Sequence, residues 1–180
     1  MELLIGSGNR HFKVWGGEFS HLTTLDMDAG LKPDVVHDLN DLPLPFDDNV
    51  FDEIHCVDVL EHIGSQGDWR QWFGMFDEFW RILKPGGRFS CAAPRADSVW
   101  AWGDPGHTRI IVEEQLTYLV RPQYAQVGKT AMTDYTSYFV GDWDITRKEY
   151  TPDHFKFELT AFKPVRDPFD FVDSFLGNNK

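Results

Sequence analysis

The chain has 180 residues, of which 42% are hydrophobic and 26% charged, and its formal net charge is −12. This length and composition predict one globular domain over residues 1–180, and they exclude both a two-domain dehydrogenase and an intrinsically disordered chain. The acidic balance disfavours bare duplex nucleic acid as a partner, because a negative field repels a polyanion.

The sequence contains no apolar run of the roughly 18 residues that a membrane-spanning helix needs, and its N-terminus lacks the features of a signal peptide. The two cysteines, Cys56 and Cys91, are too few for a disulfide framework and lack the paired spacing of a zinc site. We therefore expect a cytoplasmic protein without a membrane partner. The oligomeric state cannot be read from these features.

The N-terminal third predicts strands that end in polar turns. An apolar run at residues 3–5 stops at Gly6-Ser7-Gly8, which is typical of a buried strand that breaks into a tight turn. Three further strands are predicted at residues 21–27, 34–37 and 51–57. Residues 58–63 predict a short helical turn that ends at Gly64.

The clearest helix is predicted at residues 69–83, where aromatic and aliphatic side chains recur every three or four positions. Lys84-Pro85-Gly86-Gly87 ends it, and a fifth strand follows at residues 88–93. A second helix is predicted at residues 112–120, ending before Arg121-Pro122. The last strands, at residues 145–150 and 155–162, flank a turn and predict a hairpin.

Strands and helices alternate through the first two thirds of the chain. This order predicts an α/β fold with a mostly parallel sheet, covered on both faces, and an antiparallel pair at one edge. Ligands bind such sheets beyond the carboxyl ends of the strands, where the strand order reverses. Acidic residues at those ends are therefore candidates for ligand contact.

A glycine turn and two aspartates follow successive predicted strands. A Gly-x-Gly turn such as Gly6 to Gly8 is by itself more often a plain tight turn, but Asp26 lies 18 residues beyond Gly8, at the end of the next strand. A carboxylate there can accept both hydroxyls of an adenosine ribose. Asp38 can accept a hydrogen from an exocyclic amine, and the Leu39 backbone N–H can donate to a ring nitrogen. Together these groups predict a site for adenosine.

Four segments carry most of these features: LLIGSG, TTLDMD, DVVHDLNDLPLPFDDNVFDEIHCVDVLEHI and FDEFWRILKPGGRF. They strongly resemble the class I S-adenosylmethionine-dependent methyltransferases, in particular the small stand-alone members of bacterial and phage genomes. The resemblance is close over residues 2–95. It implies a Rossmann-like sheet of about seven strands with helices on both faces and an antiparallel C-terminal hairpin, and it implies S-adenosyl-L-methionine as the cofactor.

The resemblance also implies how the cofactor is held. Its methionine end lies near Gly6 to Gly8, its ribose on Asp26, and its adenine near Asp38 and Leu39, while the segment from Val57 to Val59 closes the site beside the sulfonium. The implied cofactor-binding residues are Gly6, Ser7, Gly8, Asn9, Asp26, Met27, Asp38, Leu39 and Val57.

The sequence departs from the family pattern in two places. Leu4 stands where most members carry an acidic residue that holds the cofactor's ammonium, and Glu2 is two residues further back. Asn9-Arg10 replaces the third glycine, and the stretch before Asp26 leaves little room for the usual first helix. Arg10 or Lys13 is then a candidate partner for the cofactor's carboxylate.

Methyl transfer is an in-line displacement, so the protein chiefly aligns the acceptor and needs a base only for a poor nucleophile. His107 and Asp58 are the catalytic candidates, and His107 lies in a turn-rich loop after the fifth strand. The alternative is that Asp104 and His107 only brace this loop. Trp100 and Trp102 form either a flat wall for an aromatic or cationic acceptor or a cover for the sheet edge.

We expect no metal site in the crowded segment from His55 to His62. Strand alternation sends His55 and Cys56 to opposite faces, and Glu61-His62 is expected to brace the loop after the fourth strand. Cys56 and Cys91 lie on strands that the family places side by side, and buried thiols there act as small hydrophobes.

Three functions are compatible with these residues. The favoured one is a methyltransferase acting on an unidentified acceptor, with a small molecule preferred. The alternative is a catalytically inactive relative that serves as a binding or structural protein, for which the missing acid at Leu4 and the abbreviated first helix are the evidence. A nicotinamide-dependent oxidoreductase is disfavoured by the short chain, the missing third glycine and the LKPGG segment.

Overall fold

Seven β-strands form a single sheet in the computed structural model, which describes residues 1–168. They are β1 (Glu2–Ile5), β2 (Leu22–Asp26), β3 (Val35–Val36), β4 (Phe51–Val57), β5 (Leu83–Pro94), β6 (Trp143–Tyr150) and β7 (His154–Ala161). Their order across the sheet is β3-β2-β1-β4-β5-β7-β6. Strand β7 runs antiparallel to β5 and β6, whereas the other pairs are parallel. The predicted Rossmann-like fold class with its C-terminal antiparallel hairpin is confirmed.

The α-helices are α1 (Trp69–Ile82), α2 (Val99–Gly103) and α3 (Glu113–Leu116), and 3-10 helices span Ala29–Leu31, Leu60–His62, Thr117–Leu119 and Arg121–Gln126. The single helix predicted at residues 112–120 is therefore wrong in part, because α3 gives way to a 3-10 turn. Pro122 lies in the first turn of the next 3-10 helix, where its missing N–H costs no hydrogen bond. Helix α2 was not predicted, since five residues are too few to reveal a period.

Helix α1 forms where the recurring aromatic residues of the sequence predict a helix with one apolar face. The Asp68 carboxylate caps the first turn by accepting the Gln71 backbone N–H at 3.1 Å. One face of α1 is buried against the sheet, where Phe79 stacks on Phe89 of β5 with ring centroids 4.8 Å apart. The helix ends one residue earlier than predicted, because Leu83 already pairs with β4.

The connections between strands lie on both faces of the sheet. From β1 the chain steps outward through β2 to β3, and from β4 it steps the opposite way through β5. Right-handed crossovers therefore put the β1–β2 and β2–β3 connections on the face opposite α1. Within residues 1–168, the one helix on that face is the 3-10 helix Ala29–Leu31. Residues 9–20 contain no helix, as predicted.

The face opposite α1 carries charged side chains, and Lys13 lies among them. Its ammonium forms ion pairs with the carboxylates of Glu2 and Glu53, the latter at 3.0 Å. The three side chains are only 10–17% exposed. We call Glu2, Lys13, Glu53, His55 and Arg88 the polar sheet face.

Asp77 on α1 gives a testable pH dependence. Its carboxylate accepts the backbone N–H groups of Gly141 at 2.6 Å and Val140 at 3.0 Å, yet burial raises its pKa from 3.8 to about 6. The folded state therefore binds this proton more tightly than the unfolded state. The resulting stabilisation is complete below pH 3.8 and is lost as the pH rises to about 6.

We expect Asp77→Asn to gain stability relative to the parent across this interval, by up to about 1.4 kcal/mol per pH unit. Urea unfolding of both proteins at pH 4, 5, 6 and 7 measures the difference. A difference that is the same at all four pH values would contradict the assignment.

Candidate functional site

The glycine turn follows the carboxyl end of β1 and is hydrogen-bonded to the carboxyl end of β2. Gly6 has φ +59°, and a Cβ at this position would overlap the side chain of Val59. Gly8 has φ +53° and open space around it, and its N–H donates to the Asp26 carboxylate at 3.0 Å. Both positions lie in the left-handed region that favours glycine. The turn and the aspartate predicted to act together are thus directly hydrogen-bonded.

Two adjoining cavities open at this edge of the sheet, and they share Gly6 and Asp58 in their walls. The first has a volume of about 270 Å³ and the second about 330 Å³. The predicted cofactor-binding residues in the wall of the first are Gly6, Asp26, Met27, Asp38 and Leu39. Those in the wall of the second are Gly6, Ser7, Gly8, Asn9 and Val57. All nine residues therefore lie in the walls of these two adjoining cavities, which we call the cleft.

The Asp26 carboxylate is held by the backbone on both sides. One oxygen accepts the Gly8 N–H and the other accepts the Asp28 N–H, each at 3.0 Å, and the residue is 8% exposed. Each carboxylate oxygen has a second lone-pair site. Asp26 is therefore fixed in orientation and still able to accept two further hydrogen bonds.

Asp38 and Leu39 present complementary groups to the first cavity. One Asp38 oxygen accepts the Asn40 backbone N–H at 2.9 Å and its side-chain amide at 3.0 Å, and the other has no partner among residues 1–168. The Leu39 N–H likewise has no acceptor in the described part of the chain. An acceptor and a donor thus remain free side by side, as the hypothesis of an adenine site requires.

Leu4 occupies the position at which most members of the resembled family carry an acidic residue. Leu4 lies in the wall of the second cavity. Glu2 does not replace it, because its carboxylate accepts the Ser20 N–H at 2.7 Å and pairs with Lys13 on the polar sheet face. Of the two basic candidates, Arg10 lines the second cavity.

Of the two catalytic candidates, Asp58 lies in the wall that both cavities share. Its oxygen accepts a hydrogen bond from His154 Nε2 at 2.9 Å. The sequence analysis missed His154, which is 96 residues away. Its register with Pro94 puts the first residue of the antiparallel strand β7 at the carboxyl edge of β5. The sequence signal that could have identified His154 is the predicted C-terminal hairpin, because a hairpin that pairs with β5 brings the start of its second strand to the edge of the cleft.

His107 lies behind the cleft and is not in its wall. Its ring contacts the ring of His62, with centroids 4.6 Å apart, and His62 lines the first cavity. Its Nε2 atom is 3.9 Å from a Glu61 carboxylate oxygen and 4.0 Å from Asp104. His107 therefore reaches the cleft through His62.

Glu61 is buried, with 2% of its surface exposed, and neither carboxylate oxygen has a hydrogen-bond partner within residues 1–168. Burial, aided by the charges of Asp58 and Asp104, raises the pKa of this carboxyl to about 8. Its backbone oxygen accepts the N–H groups of Thr108 at 2.9 Å and Arg109 at 3.1 Å. The Glu61 main chain and the His62 ring, which is 3.0 Å from the Gly106 carbonyl oxygen, therefore brace the loop as expected, and the Glu61 carboxylate takes no part.

Trp100 and Trp102 on α2 are 61% and 71% exposed, and neither lines the two cavities of the cleft. His55 joins the polar sheet face, where its Nε2 atom is 3.1 Å from Glu53. Cys56 faces the core and pairs in register with Cys91, and both thiols are free and buried.

None of the helices in residues 1–168 has the length and apolar character needed to cross a bilayer.

Known proteins share this architecture. Residues 4–91 match a family described as a methyltransferase domain. An S-adenosylmethionine-dependent methyltransferase from Archaeoglobus fulgidus is 13% identical with a TM-score of 0.55, covering 88% of this chain and 85% of its own. A second from Mesorhizobium loti is 16% identical with a TM-score of 0.53, covering 88% and 89%.

The 1,6-didemethyltoxoflavin-N1-methyltransferase of Burkholderia thailandensis, solved with 1,6-didemethyltoxoflavin and S-adenosylhomocysteine bound, is also similar. It is 13% identical with a TM-score of 0.54, and the match covers 90% of this chain and 71% of that one. At these identities the likeness establishes the fold. No curated protein sequence gives a significant match.

Proposed function

Because residues 4–91 match a family described as a methyltransferase domain and the chain has the fold of S-adenosylmethionine-dependent methyltransferases, we propose that it transfers a methyl group from S-adenosyl-L-methionine to an acceptor. A small molecule is the favoured acceptor class. The observation that carries the proposal is the cleft at the ends of β1, β2 and β3, where a glycine turn and two oriented aspartates converge.

The cofactor, when bound, supplies the electrophilic methyl group, and the residues of the cleft hold it. Asp26 accepts the two ribose hydroxyls with its remaining lone pairs. The free oxygen of Asp38 accepts the adenine amine, while the Leu39 N–H donates to the ring. The main chain at Gly6 to Gly8 lies along the methionine part, and Arg10 pairs with its carboxylate.

Asp58 is the candidate base on the acceptor side. It lies on the wall common to both cavities, where the adenosine part and the methionine part of the cofactor meet. His154 donates to its carboxylate and fixes its orientation. Asp58 then accepts the acceptor's proton or aligns its nucleophile, and His107 acts on the site through His62 as a positioning residue.

The second candidate function is a binding or structural protein that has lost catalysis. Leu4 favours it, because an apolar residue in the second cavity cannot hold the cofactor's ammonium. To distinguish the two, the protein is incubated with methyl-labelled S-adenosylmethionine in separate reactions that contain a small-molecule, a protein or a nucleic-acid fraction as the source of acceptor. Label in the small-molecule fraction supports the enzyme, and cofactor binding without any labelled product favours the second candidate.

Titration calorimetry with S-adenosylhomocysteine tests the cofactor site directly. We expect Asp26→Ala to weaken binding by about 1–3 kcal/mol, the range for hydrogen bonds to a charged group, or about 5- to 150-fold. The matched control is Asp28→Ala, since Asp28 is exposed and its side chain caps the Ala29–Leu31 helix. Equal affinities of Asp26→Ala and the parent would refute the ribose assignment, and no binding by the parent at millimolar concentration would refute the proposed function.

A further inference from the structure

Glu61, His62 and His107 form a cluster beside the methyl-transfer cleft, and the proposed methyl transfer gives the buried Glu61 carboxylate no role. The first two end the segment after β4, and His107 comes from the loop between α2 and α3. One ligand atom from each of the three side chains lies within 4.8 Å of the others. The sequence analysis missed the group because 45 residues separate His107 from His62.

Each side chain offers a free ligand atom. His62 Nδ1 is 3.0 Å from the carbonyl oxygen of Gly106, and a carbonyl can only accept, so Nδ1 carries the proton and Nε2 keeps its lone pair. A hydrogen bond of this kind orients metal-ligating histidines. Both Glu61 oxygens and the buried Nδ1 of His107 have no partner in residues 1–168.

The charge around Glu61 calls for a cation. A buried carboxylate without a donor is costly, and buried polar groups nearly always have a partner. The charged groups that act on this carboxyl, Asp58 and Asp104, are also acidic. Within residues 1–168, no lysine or arginine forms a salt bridge with Glu61, and His107 approaches no closer than 3.9 Å.

We propose that Glu61, His62 and His107 bind one divalent first-row transition-metal ion. Two imidazoles and one carboxylate are a ligand set that leaves coordination positions open. Ligand atoms bound at about 2.0–2.2 Å from a metal lie roughly 3–4 Å apart, so a shift of about 1 Å within the cluster completes the site.

The cluster adjoins the cleft through His62, which lies in the wall of the first cavity, and Asp58 lies on the wall that this cavity shares with the second. An acceptor held at Asp58, outside the space assigned to adenosine, would offer an oxygen or nitrogen to the open positions of this metal. The preferred acceptor is then a small molecule with a metal-binding hydroxyl or amine. This role in the reaction rests on the proposed function, whereas the metal site does not.

Co²⁺ is a suitable probe, since its visible absorption reports the number and kind of its ligands. We expect the chelator-treated parent to bind one equivalent of Co²⁺. Glu61→Gln and His107→Asn should each weaken binding at least tenfold, while the matched control His21→Asn, an exposed histidine outside the cluster, binds like the parent. Circular dichroism of each variant verifies the fold, and Glu61→Gln keeps the shape of the side chain.

The same proteins are titrated with S-adenosylhomocysteine in the absence of metal. Co²⁺ binding that is lost in the cluster variants supports the metal site even if the parent fails to bind S-adenosylhomocysteine, which would overturn only the proposed function. Absence of Co²⁺ binding by the parent at 10- to 100-fold excess over roughly 10 μM protein, or unchanged binding by Glu61→Gln, overturns the metal site and leaves the cofactor assignment standing.

Discussion

Replacing Gly8 by valine is expected to abolish measurable binding of S-adenosylhomocysteine. No described atom lies within 4 Å of a Cβ at this position, so the new side chain would project into the open space of the second cavity. The branched residue is also strained at φ +53°, which disturbs the N–H that Gly8 donates to Asp26. We expect a loss of more than about 3 kcal/mol, the upper end of the effect of losing a hydrogen bond to a charged group.

Gly128→Val is the matched control for the backbone strain. Gly128 also has a positive φ, +76°, with open space around it, and it lies in neither wall of the cleft. The control should lose stability and keep the affinity of the parent, as measured by calorimetry at one temperature. Normal binding by Gly8→Val would mean that the glycine turn serves only to reverse the chain.

Lys13→Met is expected to destabilise the fold by about 3 kcal/mol, the lower end of the range for breaking a buried ion pair. The ammonium of Lys13 lies between the carboxylates of Glu2 and Glu53, and all three side chains are at most 17% exposed. Burial alone would raise the pKa of Glu53, but hydrogen bonds from Lys13 and Arg88 lower it to about 2. Without Lys13, two carboxylates on neighbouring strands repel each other.

Thermal unfolding at neutral pH measures the effect, and 3 kcal/mol corresponds to a fall of roughly 6–12 °C in the melting temperature. Lys129→Met is the control, because Lys129 is exposed and forms no ion pair within residues 1–168. A melting temperature of Lys13→Met equal to that of the control would show that the polar sheet face does not depend on this pair.

The N-terminal half was predicted closely because its signals are local. Strand β4 has the predicted bounds, residues 51–57, and α1 differs by one residue. Apolar patterns and turn residues determine secondary structure over a few neighbouring positions, so they can be recognised in the sequence alone. Helices after residue 95 were predicted less well, since α2 and α3 are five and four residues long.

The cleft could also be anticipated from the sequence. Parallel strands that follow one another bring their carboxyl ends to one edge, so Gly8, Asp26 and Asp38 were expected to meet. The hydrogen bond from the Gly8 N–H to the Asp26 carboxylate was not expected. How far apart two residues are in the sequence does not tell whether they are hydrogen-bonded.

By itself, the sequence determined the α/β fold, the order of its main elements and the edge of the sheet where the glycine turn and aspartates gather, because these follow from short-range patterns and the rules of parallel strands. The tertiary structure alone decided that Lys13 joins the polar sheet face, that His154 pairs with Asp58 and that His107 meets Glu61. These pairs are far apart in the chain, and the paths of the connecting segments bring them together. Their contacts depend on how those segments pack against the sheet. The periodicity of the local sequence does not determine this packing.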